Sequence, residues 1–283
     1  MNTLKKRSMV GLISASLLLG WIFMVASSLY GDIPTQEDGI ERALSEAEMA
    51  FYGEVSEVKY RLSEDGTPHA FVTYRIRKII RGQDEPETVT LRFIGGPKGN
   101  GTFLTVSGVP HFNVGDQDVL LVRDNGETPC PLVGYGYGRF RVLNDRVYNS
   151  QGIPVIAVRD ERIVVAGRPE PKLQLIRFPA PTFDEVYKRK DVQEYLQKSG
   201  REVDLDELRK RYEQEAPKEI ILEPTFPAAK GNGEKTEPMS LEVFIEVLAD
   251  KARGLKDKPE PVKSLDPDKP FTFKLPVVSA PMK

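Results

Sequence analysis

The residues best suited to contact another molecule cluster between positions 135 and 141, where Tyr135, Tyr137 and Phe140 interleave with Arg139 and Arg141. Aromatic rings and guanidinium groups give large contact area at small entropic cost, and small β-barrels use such sets to hold single strands or sugars. The competing assignment places the same aromatics beneath C-terminal helices as packing residues. A second group is acidic. Asp116 and Asp118 lie two apart on the approach to a strand, so they share a face and with Asn113 or Asp124 offer oxygens to a cation. The twelve-residue calcium-loop pattern is absent, and the pair reads as solvated strand-end charge. Asp204, Asp206 and Glu207 read as favourable charges at a helix N-terminus.

Cys130 and His111 supply the elements of a nucleophile and base. However, Thr128, Pro129 and Pro131 mark a loop without any thiol-enzyme signature, which leaves a packed or surface thiol. His69, between Pro68 and Ala70, reads as solvent-facing. With 2 His and 1 Cys in 283 residues, a His- or Cys-rich zinc site, a disulfide framework and a Cys-x-x-Cys redox pair are excluded, and an all-carboxylate ion site remains open. Gly95, Gly96, Gly99 and Gly101 lack the Gly-Lys-Ser/Thr ending of a phosphate loop, and Gly134, Gly136 and Gly138 miss the dinucleotide spacing. Asn100, Gly101 and Thr102 match the short glycosylation triplet. The sequence therefore assigns no catalytic residue, no metal ligand and no cofactor, and its binding candidates are Tyr135, Tyr137, Phe140, Arg139 and Arg141.

The elements that must position these residues are mostly strands. Phe51, Gly53 and Val55 alternate with Tyr52, Glu54 and Ser56 over Met49 to Val58, and Val72, Tyr74 and Ile76 do so over His69 to Ile80. Glu64, Asp65 and Gly66 turn the first strand into the second. Glu87 to Phe93, Asp118 to Val122 and a glycine-bearing stretch Leu132 to Val142 complete five strands, spaced as in a small barrel or sandwich. The glycines predict close backbone approach or the coiling that closes a barrel. Short hairpin strands at the barrel's edge are predicted at Arg146 to Tyr148, Pro154 to Val158 and Arg162 to Val165.

Beyond Gly167 the pattern becomes helical. Thr182 with Glu185 forms a capping box ahead of Phe183, Val186 and Tyr187, and Asp204 opens a helix carrying Leu205, Leu208 and Tyr212. Pro217, Pro224, Pro227, Gly231 and Gly233 mark a linker. Ser240 caps the best-patterned helix, whose Leu241, Phe244, Ile245 and Leu248 share one face and which Gly254 ends. That apolar stripe requires a cover. Residues 257–283, rich in Pro and Lys, read as disordered.

Lys5, Lys6 and Arg7 precede an apolar run from Met9 to Leu29, with Ser27 and Ser28 at its end and acids beyond: the order of an export signal, or of a retained anchor. Either way the remainder faces outward, in the periplasm or outside the cell, with membrane contact only through a retained N-terminal segment. The lack of a Cys near the end of the run argues against a lipidated N-terminus. Net charge is −2 from 40 Lys plus Arg and 42 Asp plus Glu, so there is no general pull toward polyanions, and export further disfavours nucleic acid. The organisation is a signal peptide or anchor at 1–28, a linker at 29–46, a β-barrel domain with edge hairpins at 47–167, a helical extension at 168–256 and a disordered tail.

Ala47 to Val142 resembles the oligonucleotide/oligosaccharide-binding (OB) barrels of the tissue-inhibitor-of-metalloproteinase and netrin-module class, and more closely a set of exported bacterial proteins with that pattern. The likeness rests on Ala50-Phe51-Tyr52-Gly53-Glu54-Val55, on Val72-Thr73-Tyr74-Arg75-Ile76 leading to Ile80-Arg81-Gly82, and on Val89-Thr90-Leu91. Phe112-Asn113-Val114-Gly115-Asp116 followed by Val119-Leu120-Leu121-Val122 completes it. The resemblance implies a mainly β fold built on a five-stranded barrel and a role in protein binding. Family inhibitors chelate zinc through an N-terminal cysteine, which is lacking near the expected mature start, so that mode does not carry over. The expected function is a non-enzymatic exported binding module whose partner is an envelope or extracellular protein. The alternatives are an envelope hydrolase using carboxylates in the barrel mouth, and a structural component docking through its last helix.

Overall fold

A computed structural model describes residues 39–82, 86–99, 102–199, 204–222, 237–255, 257 and 259–273. The expected signal or anchor, most of the Pro/Gly linker and the last ten residues lie outside the described residues. Helix α1 (Ile40–Glu46) is followed by the strands β1 (Met49–Leu62), β2 (Pro68–Arg81), β3 (Thr88–Ile94), β4 (Gly96–Pro97), β5 (Phe103–Leu104) and β6 (Gln117–Val122). After a 3-10 turn at Tyr135–Gly138 come β7 (Arg139–Leu143), β8 (Arg146–Tyr148), β9 (Val155–Arg159) and β10 (Arg162–Val165). The C-terminal part holds β11 (Ile176–Pro179), α2 (Phe183–Tyr187), α3 (Lys190–Ser199), α4 (Leu205–Glu215), β12 (Glu219–Leu222) and α5 (Leu241–Arg253). Among the described residues no helix is long and apolar enough to cross a membrane.

The fold is mainly β, centred on a six-stranded antiparallel sheet in the order β3-β2-β1-β6-β7-β8. The expected closed barrel is not seen: β3 and β8 do not pair. Each of these edge strands is covered by a non-strand segment instead. Along β3, Leu265 N donates to Thr90 O at 3.1 Å and Thr90 N to Ser264 Oγ at 3.0 Å, while along β8 Val147 N donates to Met239 O at 3.0 Å. Capping an edge in this way satisfies its backbone groups and removes the drive to close the sheet.

Both faces of the sheet are buried. In β6, Leu120 and Val122 enter one core with Phe51, Tyr74, Leu91 and Phe93. The intervening Val119 and Leu121 enter a second core with Phe140, Phe244 and Leu248. A strand covered on both sides reads as a continuous apolar run, which explains Val119-Leu120-Leu121-Val122. The stripe of α5 closes the second core. Phe244 and Leu248 are fully buried, the Phe140 and Phe244 rings meet at 4.9 Å in a tilted contact, and Ser240 Oγ accepts from Val243 N to start the helix. The helix thus belongs to the protein's own interior, each such side chain contributing roughly 1.5–3 kcal/mol by leaving water.

Several expectations change. The stretch read as a linker at 29–46 holds α1, whose Ile40 and Leu44 are buried in the second core. Leu132 to Val142 is not one strand. Gly134 and Tyr135 both take left-handed backbone, at φ 62° and 58°, and start the 3-10 turn, so only Arg139–Leu143 pairs. The expected close approach is real at Gly138, where a Cβ would fall 2.6 Å from Val133 O. Residues 259–273 of the expected disordered tail are held against the sheet: Phe271 and Phe273 pack on the first core, and Arg61 Nη2 donates to Asp268 Oδ1 at 2.6 Å. The Gly95 loop is a strand connection, β4 pairing with β5. The capping box at Thr182 and the cap at Asp204 form as read, whereas α3 and the β11–β12 pairing carried no clear signal.

Candidate functional site

Strand parity divides the aromatic and arginine set. Arg139 and Arg141 point to the first core, where β7 pairs Arg141 with Asp118 and Arg139 with Leu120, and Phe140 points to the second. Arg139 is buried. Its Nε donates to Asp118 Oδ1 at 2.9 Å and its Nη2 to Asp118 Oδ2 at 2.9 Å, a bidentate pair. The same guanidinium reaches Asp116 Oδ2 at 3.0 Å and His111 O at 2.6 Å, and lies 4.2 Å over the Phe112 ring. Arg141 Nη2 holds Asp116 Oδ2 at 2.8 Å, and its Nη1 donates to Leu173 O. Tyr74 Oη donates to Asp118 Oδ2 at 2.7 Å.

The expected solvent-spread carboxylates are therefore the interior of a charge network, with Asp118 fully buried. Asn113 does join Asp116, through its backbone N at 3.0 Å, but two guanidinium groups stand where a metal ion would be needed. Among the described residues, no group of three or more His, Cys, Asp or Glu is placed to hold a metal ion. Burial weighs against the Arg139 charge, but Asp118, Tyr74 and Asp116 outweigh it and push its pKa upward. Burial and then the neighbouring Arg139 lower that of Arg141. Burial first, and the Asp118 charge second, hold the Tyr74 phenol well above its ordinary value.

The other reactive groups are also inside. Burial pushes the Cys130 thiol up to about 12, the reverse of what activates a nucleophile. His69 is not solvent-facing: it is 1% exposed, its ring sits 5.1 Å from Phe271 and 4.9 Å from Phe273, and neither ring nitrogen has a hydrogen-bond partner. Burial, then Arg92, hold its pKa down to about 4, against a smaller upward pull from Asp65.

Tyr135 and Tyr137 remain on the surface, 43% and 41% exposed. The 3-10 turn splays them. Tyr135 Cβ lies near Gly108, whereas Tyr137 forms the rim of an open cleft of about 280 Å³ to which Phe140, Val133 and Ile163 contribute an apolar floor. Arg42 and Glu46 from α1, Arg123 after β6 and Arg162 at the start of β10 supply its charges, with Asn149 and Ser150 at one side. Glu46 is shared: Oε1 accepts from Arg42 Nε at 3.0 Å and Oε2 from Arg123 Nη1 at 2.7 Å. Arg162 faces Arg159 directly across the β9–β10 turn, and neither forms an ion pair among the described residues. This cleft unites two of the five sequence candidates, Tyr137 and Phe140, and leaves out Tyr135 and the two buried arginines. Arg42, Arg123 and Arg162 were missed because they come from separate elements, one of them the unforeseen α1. Comparison of the chain with protein-family models, curated proteins and solved structures gives no match.

Proposed function

We propose that the chain is a non-enzymatic binding module of the cell envelope or exterior, and that it contacts a partner protein through the cleft rimmed by Tyr137 and floored by Phe140. The observation that carries this reading is the contrast in availability: Tyr137 and Arg162 stand at an open cleft, while Asp118, Cys130 and His69 are held in the interior and Asp116 is tied to two guanidinium groups. Aromatic rims with arginine are what protein-recognition surfaces use for contact area and charge. Carboxylates neutralised by guanidinium groups support this reading over an envelope hydrolase. A cleft formed by the fold's own α1, β7 and β10 also supports it over docking through α5, whose apolar stripe lies in the core.

The basic residues Lys5, Lys6 and Arg7 ahead of the apolar run Met9 to Leu29 support export. Three register shifts in the β1–β2 pairing, after Ala50, Tyr52 and Val55, support an OB-type origin for residues 47–142, because bulges coil a sheet in the sense that small barrels need. A photo-crosslinking amino acid at position 137 of the full chain, irradiated in the native envelope, is expected to give one dominant protein adduct. The same reporter at Tyr195 serves as the control. Equal, diffuse labelling from both positions, or none from either, would remove the reading.

A further inference from the structure

Among the described residues, one cationic side chain at the cleft, that of Arg162, stands without an acidic partner, and this specifies the cleft's occupant. Arg123 and Arg162 line it among the described residues, and both oxygens of the cleft's Glu46 are already engaged, by Arg42 and Arg123. Arg123 has a further acid 3.6 Å away in Asp124, and Glu161 turns toward Gly39, so that among the described residues Arg162 faces only Arg159 across the hairpin. Like charges directly opposite on a strand pair are destabilising, and an anion placed against them relieves the repulsion. The floor beneath is apolar, so an anion alone would leave it uncovered. The wall that carries Arg162 and Ile163 is β10, whose one strand partner among the described residues is β9. A short strand with a free edge accepts the backbone of an extended segment.

From this juxtaposition we infer that the cleft binds an extended acidic peptide segment of the partner protein. A valine- or leucine-type side chain would lie on Phe140 and Ile163, and a flanking carboxylate would engage Arg162. The inference rests on the binding-module reading and specifies its ligand class.

The test uses the immobilised full chain and a pool of capped hexapeptides in which every position is Asp, Glu, Val or Leu. A matched pool has Asn and Gln in place of the acids. The acidic pool is expected to be retained at least tenfold more than the amide pool. Arg162→Glu should abolish that difference, and Tyr137→Ala should reduce retention several-fold. Arg162→Gln serves as a milder second variant, and thermal melting confirms that each variant is folded. Equal retention of the two pools, or retention unaffected by Arg162→Glu, overturns the inference. So does displacement by millimolar inorganic phosphate at constant ionic strength with no dependence on Tyr137, which marks a simple anion site. A rise in retention when Asp32, Glu37 and Asp38 are replaced by their amides would show the chain's own acidic segment in the cleft, also against a partner. If the position-137 adduct forms and is insensitive to Arg162→Glu, the binding module stands and the acidic ligand falls; if no adduct forms, the module itself falls.

Discussion

Two groups of arginines lie on either side of the same sheet and have opposite fates. On one side Arg139 and Arg141 meet Asp116, Asp118, Tyr74 and the His111 and Leu173 carbonyls, and the charges are matched within the protein. On the other, Arg42 and Arg123 share Glu46 at the edge of an open cleft, and Arg162, also at that cleft, forms no ion pair among the described residues. A buried charge must be paired because desolvation is expensive, whereas a charge facing water persists without a partner. Residue type therefore says little about whether an arginine is structural or available; burial against an internal acid, as opposed to pairing or standing alone at the surface, decides it.

The comparison breaks most readily on the buried side. Asp118→Ala leaves Arg139 enclosed without its bidentate partner and is expected to cost about 3–5 kcal/mol in chemical denaturation. A loss below about 1 kcal/mol would mean that the network is wet and interchangeable with the cleft. Leu248→Ala, on the helix that closes the second core, should cost about 2–5 kcal/mol, and removal of residues 239–283 should abolish cooperative unfolding. Survival of a folded truncated chain would return α5 to the role of a docking element.

Next in size is the response to pH. His69 stays neutral in the folded protein to about pH 4, while the unfolded chain takes up a proton below about 6.5. The unfolded state binds more protons in that window, so stability is complete above pH 6.5 and falls as the pH drops toward 4, by about 3 kcal/mol from this residue. Burial, then Arg139, likewise hold His111 down to about 4, and it acts in the same direction. Melting temperature against pH should show a shallower acid limb in His69→Phe, with His111 and the carboxylates of Glu41, Asp65, Asp184 and Asp191, whose pKa values are lowered by their partners, contributing to the remaining slope. An unchanged limb would place His69 in water. On the cleft side the stability effects are smallest. Tyr137→Ala and Arg162→Gln are expected to shift unfolding by no more than about 0.5 kcal/mol while reducing the position-dependent contacts described above. A large destabilisation would make these residues structural after all.

Much of the scaffold was legible because its signals are local. Alternation in Val72, Tyr74 and Ile76, the Thr182–Glu185 box and the 3,4 spacing of Leu241, Phe244, Ile245 and Leu248 each reflect a period that one element imposes on its own residues. Helix α1 escaped notice because seven residues starting at a glycine without a side-chain cap hold too short a pattern. The tail was misjudged because its order comes from a few anchors, Phe271 and Phe273 against His69 and Leu265 on Thr90, separated by Pro and Lys. The site was half legible. Tyr137 and Phe140 were visible as aromatics, but the period of two separates Phe140 from Arg139 and Arg141, and the arginines of the cleft come from three distant segments.

By itself the sequence determined the β-rich character, the positions of most strands and three of the helix caps, because backbone hydrogen bonding and alternating faces are decided within a few residues. Tertiary structure alone decided that the sheet stays open, that α5 faces inward, and that Arg139 is enclosed while Arg162 lies at an open cleft. Those outcomes depend on what covers each face and edge. A pattern of alternation states which side chains share a side, and only the packing of distant segments states whether that side meets water.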